Sequence, residues 1–245
     1  MNQATRTASR KRVSDTVVVI PTYREAGNIV ELLQAVRAAL DCDIIVVDDD
    51  SPDGTAELVN RHFGDDPRLE VIVRRDRPRG LGPAYRRGFS RALERGHDFV
   101  IQMDADFSHP PQALPQLRQA AEQADVVIGS RYVSGGRWEG LGALRSLLSR
   151  AGSGYARLVL GLPIRDVTGG FKCWRAASLL KVDVGSVTAN GFAFQIEMNH
   201  RAHRRGLRLL EVPIRFHKRR HGESKMSLAI VVEGFTAVWR LRGSR

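Results

Sequence analysis

The sequence predicts an α/β fold with a mainly parallel central sheet flanked by helices. Two observations carry that reading. Short apolar runs rich in Val and Ile recur over residues 17–129 and read as strands buried on both faces. Segments with apolar residues at helical spacing separate them, which implies βαβ units with right-handed crossovers. A third observation places a ligand site. Several runs end in acids or turn residues, and open α/β sheets bind ligands outside the carboxyl ends of their strands.

Val17-Val18-Val19-Ile20 is the first strand, stopped by Pro21. Residues 22–28 form a loop, and Asn28 is placed to cap a helix running to about Leu40. Ile29, Leu32, Leu33, Val36 and Leu40 give that helix one apolar face. Residues 43–48 form the second strand, which runs into the acidic turn Asp48-Asp49-Asp50-Ser51-Pro52-Asp53-Gly54. A helix to near Phe63 and a third strand over 69–73 follow. Gly80-Leu81-Gly82 opens a helix through Leu93. The fourth strand begins at Phe99 and is expected at the centre. A helix over 112–124 leads to a fifth strand over 126–129.

The second half is less regular. Residues 135–138 and 166–171 read as turns, and 141–160 and 193–205 as helices. Cys173 and Trp174 read as core, residues 209–213 and 214–217 as extended segments, and 219–225 as a cationic loop. The expected organisation is a disordered basic lead-in over 1–14, one domain over 15–225, and an amphipathic C-terminal segment over 226–245.

Composition narrows the class. Of 245 residues, 42% are hydrophobic, enough for a real core, and the formal net charge of +11 favours anionic partners. Two cysteines, Cys42 and Cys173, exclude a disulfide framework or a cysteine metal cluster and suit a reducing compartment. The N-terminal stretch lacks the apolar segment of a signal peptide, and no apolar run approaches the ~20 residues that span a bilayer. The turn after the first strand lacks Gly-x-Gly-x-x-Gly, and no phosphate-binding Gly-x-x-x-x-Gly-Lys-Ser/Thr loop is present. His109, His217 and His221 do not form a ligand set by spacing.

The fourth strand ends in Asp104-Ala105-Asp106. Alternate residues of an extended chain point the same way, so the two carboxylates can converge just past the strand end. Two hard oxygen donors there suit Mg²⁺ or Mn²⁺, which keep positions open for substrate phosphates. Two solvated aspartates at a strand end are the plainer alternative.

Six pieces then occur in one order: residues 17–23 with Glu25; residues 46–55; Asp104-Ala105-Asp106-Phe107-Ser108-His109; Gly129-Ser130-Arg131-Tyr132 with Gly135-Gly136; Gly191-Phe192-Ala193-Phe194-Gln195-Ile196-Glu197-Met198; and Gly222-Glu223-Ser224-Lys225. Together they resemble the dolichol-phosphate, or polyprenol-phosphate, mannose synthases. These are inverting glycosyltransferases with the Rossmann-like nucleotide-sugar-binding GT-A fold. The resemblance covers roughly residues 17–239.

It implies transfer of mannose from GDP-mannose to a polyprenyl monophosphate on the cytoplasmic face of a membrane. Pro21, Tyr23, Glu25, Asp48 and Asp49 are implied to hold the nucleoside, although Glu25 also suits a helix start on its own. Asp104 and Asp106 are implied to hold Mg²⁺ or Mn²⁺ on the donor diphosphate, with Ser108 as a further oxygen. Arg131, Arg145, Arg219 and Lys225 are implied to bind donor or acceptor phosphates, with Ser149 one turn from Arg145. Gln195 and Glu197 are implied to face the site, and His109 to stand behind the aspartates or beside the metal. Asp106, Arg131 and Arg219 carry the implied catalytic roles. One departure stands out: relatives read Phe-x-Asp-Arg where this chain has Phe216-His217-Lys218-Arg219, so the arginine lacks its usual acidic neighbour.

The segment over 226–239 is apolar with one acid, Glu233, and arginines at its end. It suits a membrane interface, a membrane-anchoring subunit, or its own core. Other donors such as UDP-glucose remain open. So does a basic nucleic-acid-binding protein, although the basic residues are scattered, no such motif is present, and no nucleic acid is expected.

Overall fold

The computed structural model describes residues 14–140, 143–220 and 228–243, with side chains over 14–140, 146–220 and 236–243. A seven-stranded sheet forms the centre. Its strands are β1 (Thr16–Thr22), β2 (Asp43–Asp48), β3 (Leu69–Val73), β4 (Phe99–Gln102), β5 (Val126–Ser130), β7 (Lys172–Arg175) and β8 (Leu209–Pro213), in the order β3-β2-β1-β4-β7-β5-β8. All neighbours are parallel except β7, which runs antiparallel between β4 and β5. A separate parallel pair joins β6 (Arg137–Glu139) to β9 (Arg215–His217).

The run 17–20 is fully buried because both faces of the sheet are covered. Strand alternation sends Val17, Val19, Ile45 and Val47 into one cluster and Val18, Ile20, Ile44 and Val46 into the other. The second cluster takes the apolar faces of α1 (Ile29–Ala39), α2 (Thr55–Phe63) and α4 (Leu114–Ala120). The first takes α3 (Leu81–Glu94), α5 (Ala143–Leu160), α6 (Ala176–Lys181), α7 (Gly191–Arg204) and α8 (Leu228–Gly243). Full burial of each such Val or Ile contributes about 1.5–3 kcal/mol. Helix α3 lies so close to the sheet that a Cβ on Gly88 would stand 2.3 Å from Val19 Cγ1.

Most elements fall where the sequence places them, with four differences. Asn28 does not cap α1; its amide donates instead to Glu25 Oε2 at 2.8 Å. The helix expected over 112–124 is a 3₁₀ turn over 111–113 followed by the short α4. Arg137 and Trp138, expected in a loop, belong to β6 because the extended segment at 215–217 supplies a partner. The turn at 166–171 leads into β7, a strand that local pattern did not announce. The run Lys172–Arg175 is thereby inserted between β4 and β5. Among the described residues no helix is long and apolar enough to cross a membrane. The basic lead-in over 1–13 and the Gly222–Lys225 piece lie outside the described residues.

Candidate active site

The chain runs outward from β1 through β2 to β3, then returns to β4 on the other side of β1. This reversal opens a crevice at the carboxyl ends of β1 and β4, the usual ligand position in such sheets. Antiparallel β7 brings the start of its strand to the same edge, where Gln102 pairs with Lys172. Arg131 follows β5 directly.

Asp104 and Asp106 lie just past β4. Tyr85, from α3, donates to Asp104 Oδ1 at 3.1 Å, and the Asp104 amide donates to His109 Nδ1 at 3.0 Å. Nδ1 is therefore unprotonated, and burial pushes the His109 pKa below its ordinary value. His109 stacks on Phe171 at 4.9 Å. Burial, and then Asp104, raise the Tyr85 phenol well above its usual range, so it stays a hydrogen-bond donor. Asp106 is 3% exposed. Its Oδ1 accepts from the Ser108 amide at 3.0 Å, and its Oδ2 pairs with Arg219 Nε at 2.9 Å. Phe107 takes a left-handed conformation at φ 62°, which turns the chain sharply between them. The acid missing from the Arg219 neighbourhood in sequence is thus supplied by Asp106 across the fold.

Both carboxylates act on Tyr85 and His109 together, and their oxygens are the hard donors that Mg²⁺ or Mn²⁺ prefer. Among the described residues no three of His, Cys, Asp and Glu gather into a metal-holding group. The two carboxylates would suit such an ion, with Asp104 and Asp106 as the residues that would hold it. Ser108 enters this turn through its backbone, donating to Asp106 and accepting from the His217 amide at 3.1 Å.

The expected nucleoside residues line the β1 and β2 ends. Pro21 and Thr22 close β1, and Tyr23 lies under Arg79, whose guanidinium carbon is 5.1 Å from the ring centroid. Glu25 receives the Asn28 amide. Asp48 is engaged by the end of β1 and by its own loop, accepting from Thr22 Oγ1, Ser51 N and Ser51 Oγ at 2.7, 2.8 and 2.6 Å. Asp49 forms a buried pair with Arg74 at 2.8 Å and accepts from the Gly80 amide at 2.7 Å. These two acids shape the crevice wall through protein contacts. A Cβ on Gly80 would stand 2.0 Å from the Asn190 amide, and one on Gly82 2.3 Å from Ala189 O. The two glycines therefore serve the contact with the start of α7 rather than a phosphate loop.

The cations separate. Arg131 is 5% exposed and grips Asp166 through Nε at 2.7 Å and Nη2 at 2.5 Å, with Thr168 Oγ1 at 3.0 Å. Its guanidinium sits 4.6 Å from the Trp138 ring and 5.2 Å from Phe216. Burial opposes the charge, but Asp166 outweighs it and holds the pKa above the ordinary value. Arg219, by contrast, is one-third exposed beside Asp106. Ser149 accepts from Tyr132 O–H at 2.8 Å on α5. Arg145 lies on the same helix at a position whose side chain is not described, and Lys225 lies outside the described residues. Gln195 and Glu197 do not share a face. Gln195 turns to the sheet, where Gln102 and Lys172 both donate to its Oε1, while Glu197 pairs with Arg201 at 2.7 Å. Positions two apart on a helix diverge by more than half a turn. His217 sits 3.3 Å from Glu139, partly exposed. An open groove lined by Glu31, Phe107, Pro110, Pro111, Lys218 and Arg220 adjoins the aspartate turn.

Sequence reasoning did not single out Tyr85, Gln102, Asp166 or Lys172. Each works through partners more than fifteen positions away, so no local spacing marks it.

The family model described as glycosyl transferase family 2 matches residues 17–182, spanning β1 to the end of α6. The chain belongs to glycosyltransferase family 2. It is 43% identical over 225 residues to an undecaprenyl-phosphate mannosyltransferase of Micrococcus luteus, covering 91% of this chain and 92% of that one. It is 40% identical over 232 residues to a polyprenol monophosphomannose synthase of Mycolicibacterium smegmatis, covering 93% and 88%. Against a dolichol-phosphate mannosyltransferase of Pyrococcus furiosus, identity is 36% over 91% of this chain and 62% of that one. Among solved structures, glucosyl-3-phosphoglycerate synthase of Mycobacterium tuberculosis in complex with Mn²⁺ and UDP superposes with a TM-score of 0.69. That match has 19% identity and covers 93% of this chain and 80% of the other. The likeness is one of fold: this family 2 chain has the GT-A architecture.

Proposed function

We propose that this family 2 glycosyltransferase moves mannose from GDP-mannose to a polyprenyl monophosphate, giving polyprenyl phosphate mannose and GDP. One observation carries the reading. Asp104 and Asp106 stand at the sheet's switch point in a chain 43% identical, over nearly all its length, to an undecaprenyl-phosphate mannosyltransferase.

The acceptor needs no strong base. A phosphate monoester loses its second proton near pH ~6, so it is already a dianionic nucleophile. Its oxygen forms a bond to the anomeric carbon as the bond from that carbon to the diphosphate breaks, and attack from the opposite face inverts the centre. The protein's task is to bring two anions together and hold charge on the leaving diphosphate. Asp104 and Asp106 would hold Mg²⁺ or Mn²⁺, which supplies Lewis-acid stabilisation of that diphosphate. Arg219 moves from Asp106 to a phosphate oxygen. Arg145 and Lys225 add cationic contacts, Ser149 a hydrogen bond, and Arg131 braces the wall through Asp166. Pro21, Tyr23 and Glu25 line the nucleoside end, and Gln195 reaches the sugar.

The protein meets its lipid as a peripheral protein at the cytoplasmic membrane surface, alone or with a membrane-anchoring subunit. Exposed Leu147 and Leu148 on α5 and Trp239 on α8 support this, because Trp favours headgroup depth.

The test is transfer of labelled mannose from GDP-mannose into organic-extractable lipid, with polyprenyl phosphate, with and without Mg²⁺ or Mn²⁺. Metal-dependent label in the lipid phase that Asp106→Ala abolishes, with native circular dichroism, supports the assignment. Turnover retained in a folded Asp106→Ala variant overturns the role of the aspartates. Activity with UDP-glucose alone changes the sugar.

A further inference from the structure

Behind Asp104 lies a buried polar chain that ends on Gln195 and whose other members, Trp174, Gln102 and Lys172, have no role assigned so far. Trp174, Gln102, Lys172 and Gln195 are each no more than 1% exposed. The direction of every bond in the chain is forced. An indole N–H can only donate, so Trp174 Nε1, 2.9 Å from Gln102, fixes the acceptor end of that amide as Oε1. Gln102 Nε2 must then donate, and it does so to Gly170 O at 2.7 Å and Gln195 Oε1 at 2.9 Å. Lys172 Nζ donates to the same Gln195 Oε1 at 2.8 Å. With Oε1 holding two donors, Gln195 Nε2 turns the other way.

There it has no hydrogen-bond partner among the described residues, although it is buried. A buried unpaired donor is costly, and native structures rarely keep one without a use. Its surroundings show the use. A Cβ built on Gly170 would stand 3.4 Å from Gln195 Nε2, 3.4 Å from His109 Cε1 and 3.7 Å from Asp104 Oδ2. The missing side chain of Gly170 thus leaves a small space with a donor on one side and a carboxylate on the other. A sugar hydroxyl, which accepts and donates at once, matches that pair.

We propose that Lys172 and Gln102 are positioning residues that lock the Gln195 amide with Nε2 facing the Gly170 gap beside Asp104, where it donates to a hydroxyl of the donor sugar. The proposal rests on the reading of this protein as a nucleotide-sugar transferase. Lys172 is the unusual member. It is a fully buried amine whose described hydrogen bonds all go to Gln195, and among the described residues Asp166 is the acid whose charge raises its pKa against burial. Burial draws its pKa down to about 7. A core position of this kind favours an apolar residue unless the amine's donor geometry is needed.

The experiment compares wild type with Lys172→Met, Gln102→Leu, Gln195→Ala, Gly170→Ala and the Lys172→Met/Gln195→Ala double variant. Each is checked for native circular dichroism. Calorimetry measures affinity for the sugar nucleotide that the wild type uses, GDP-mannose first and UDP-glucose second, and for the matching nucleoside diphosphate, with Mn²⁺ present. Supporting partner residues of this kind are worth about 10- to 100-fold. The expected result is that each single variant loses that much in sugar-nucleotide affinity or kcat/KM. The double variant loses no more than Gln195→Ala, and nucleoside diphosphate affinity stays within about twofold, well short of that loss. Gly170→Ala keeps the network and fills the gap, so its loss separates the gap from the fold. Undiminished sugar-nucleotide affinity in Lys172→Met and Gln102→Leu overturns the proposal. So do multiplicative losses in the double variant, or an equal fall in nucleoside diphosphate affinity. A folded wild type that binds no sugar nucleotide overturns the functional reading and this proposal with it.

Discussion

The Arg131–Asp166 pair offers a prediction with a calculable size. Asp166 is fully buried and accepts from Arg131 N, Nε and Nη2, while Arg131 is enclosed by Trp138, Phe216 and Tyr132. Asp166→Asn keeps the shape but removes the negative charge, leaving a guanidinium that cannot deprotonate inside an aromatic box. Breaking a buried pair from one side costs about 3–5 kcal/mol. In a domain of this size each kcal/mol lowers Tm by about 2–4 °C, so Tm falls by roughly 6–20 °C. Replacing the charge altogether is milder, because Arg131→Met in the Asp166→Asn background removes the stranded cation. The double variant therefore recovers a large part of the loss. Urea unfolding followed by circular dichroism, with unchanged m-values, measures both quantities. A loss below about 1 kcal/mol for Asp166→Asn, the scale of an exposed pair, refutes the reasoning. A double variant as unstable as the sum of the singles refutes it as well.

Three further outcomes follow from the structure. Arg219→Ala, at a partly exposed pair, changes stability by no more than about 1 kcal/mol while lowering kcat for transfer about 100-fold or more, read by urea melts and the lipid-extraction assay. Gly82→Ala drives a Cβ to 2.3 Å from Ala189 O and destabilises by about 1–3 kcal/mol, read by the same melts. The Lys172 proton is lost near pH 7 in the folded chain and near 10.5 in the unfolded one, so between those values the unfolded chain binds more protons and stability rises with pH. Lys172→Met lacks that slope. Its stability advantage over wild type should shrink from pH 7 to 10, and parallel stability curves would refute the assignment.

Sequence by itself determined the first five strands and the helices between them. An apolar β-branched run and a 3.6-residue stripe are local patterns, and burial on both sheet faces answers both. It also determined where the aspartates sit, because Asp104 and Asp106 directly follow an apolar strand. It marked Gln195 and Arg219 through narrow motifs without showing what either touches.

Only the tertiary structure decided the rest. Strand β7 is four residues long and in sequence reads as core with no element assigned, yet it fills the sheet between β4 and β5. Asn28 resembled a cap but turned to Glu25, since a side-chain amide takes the nearest good acceptor. Gln195 and Glu197 looked alike in sequence and part on opposite sides of α7. The pairing of Arg219 with Asp106 closes a chain separation of more than 110 residues. Lys172 carries no signal of its own in the sequence beyond preceding the core pair Cys173 and Trp174, and only antiparallel pairing sets its amine against Gln102 in the core. Periodicity reports which face a residue takes along its own element. Which charge meets which depends on how distant elements pack, and here that packing closes Arg131 in on Asp166 and leaves Arg219 one-third exposed beside Asp106.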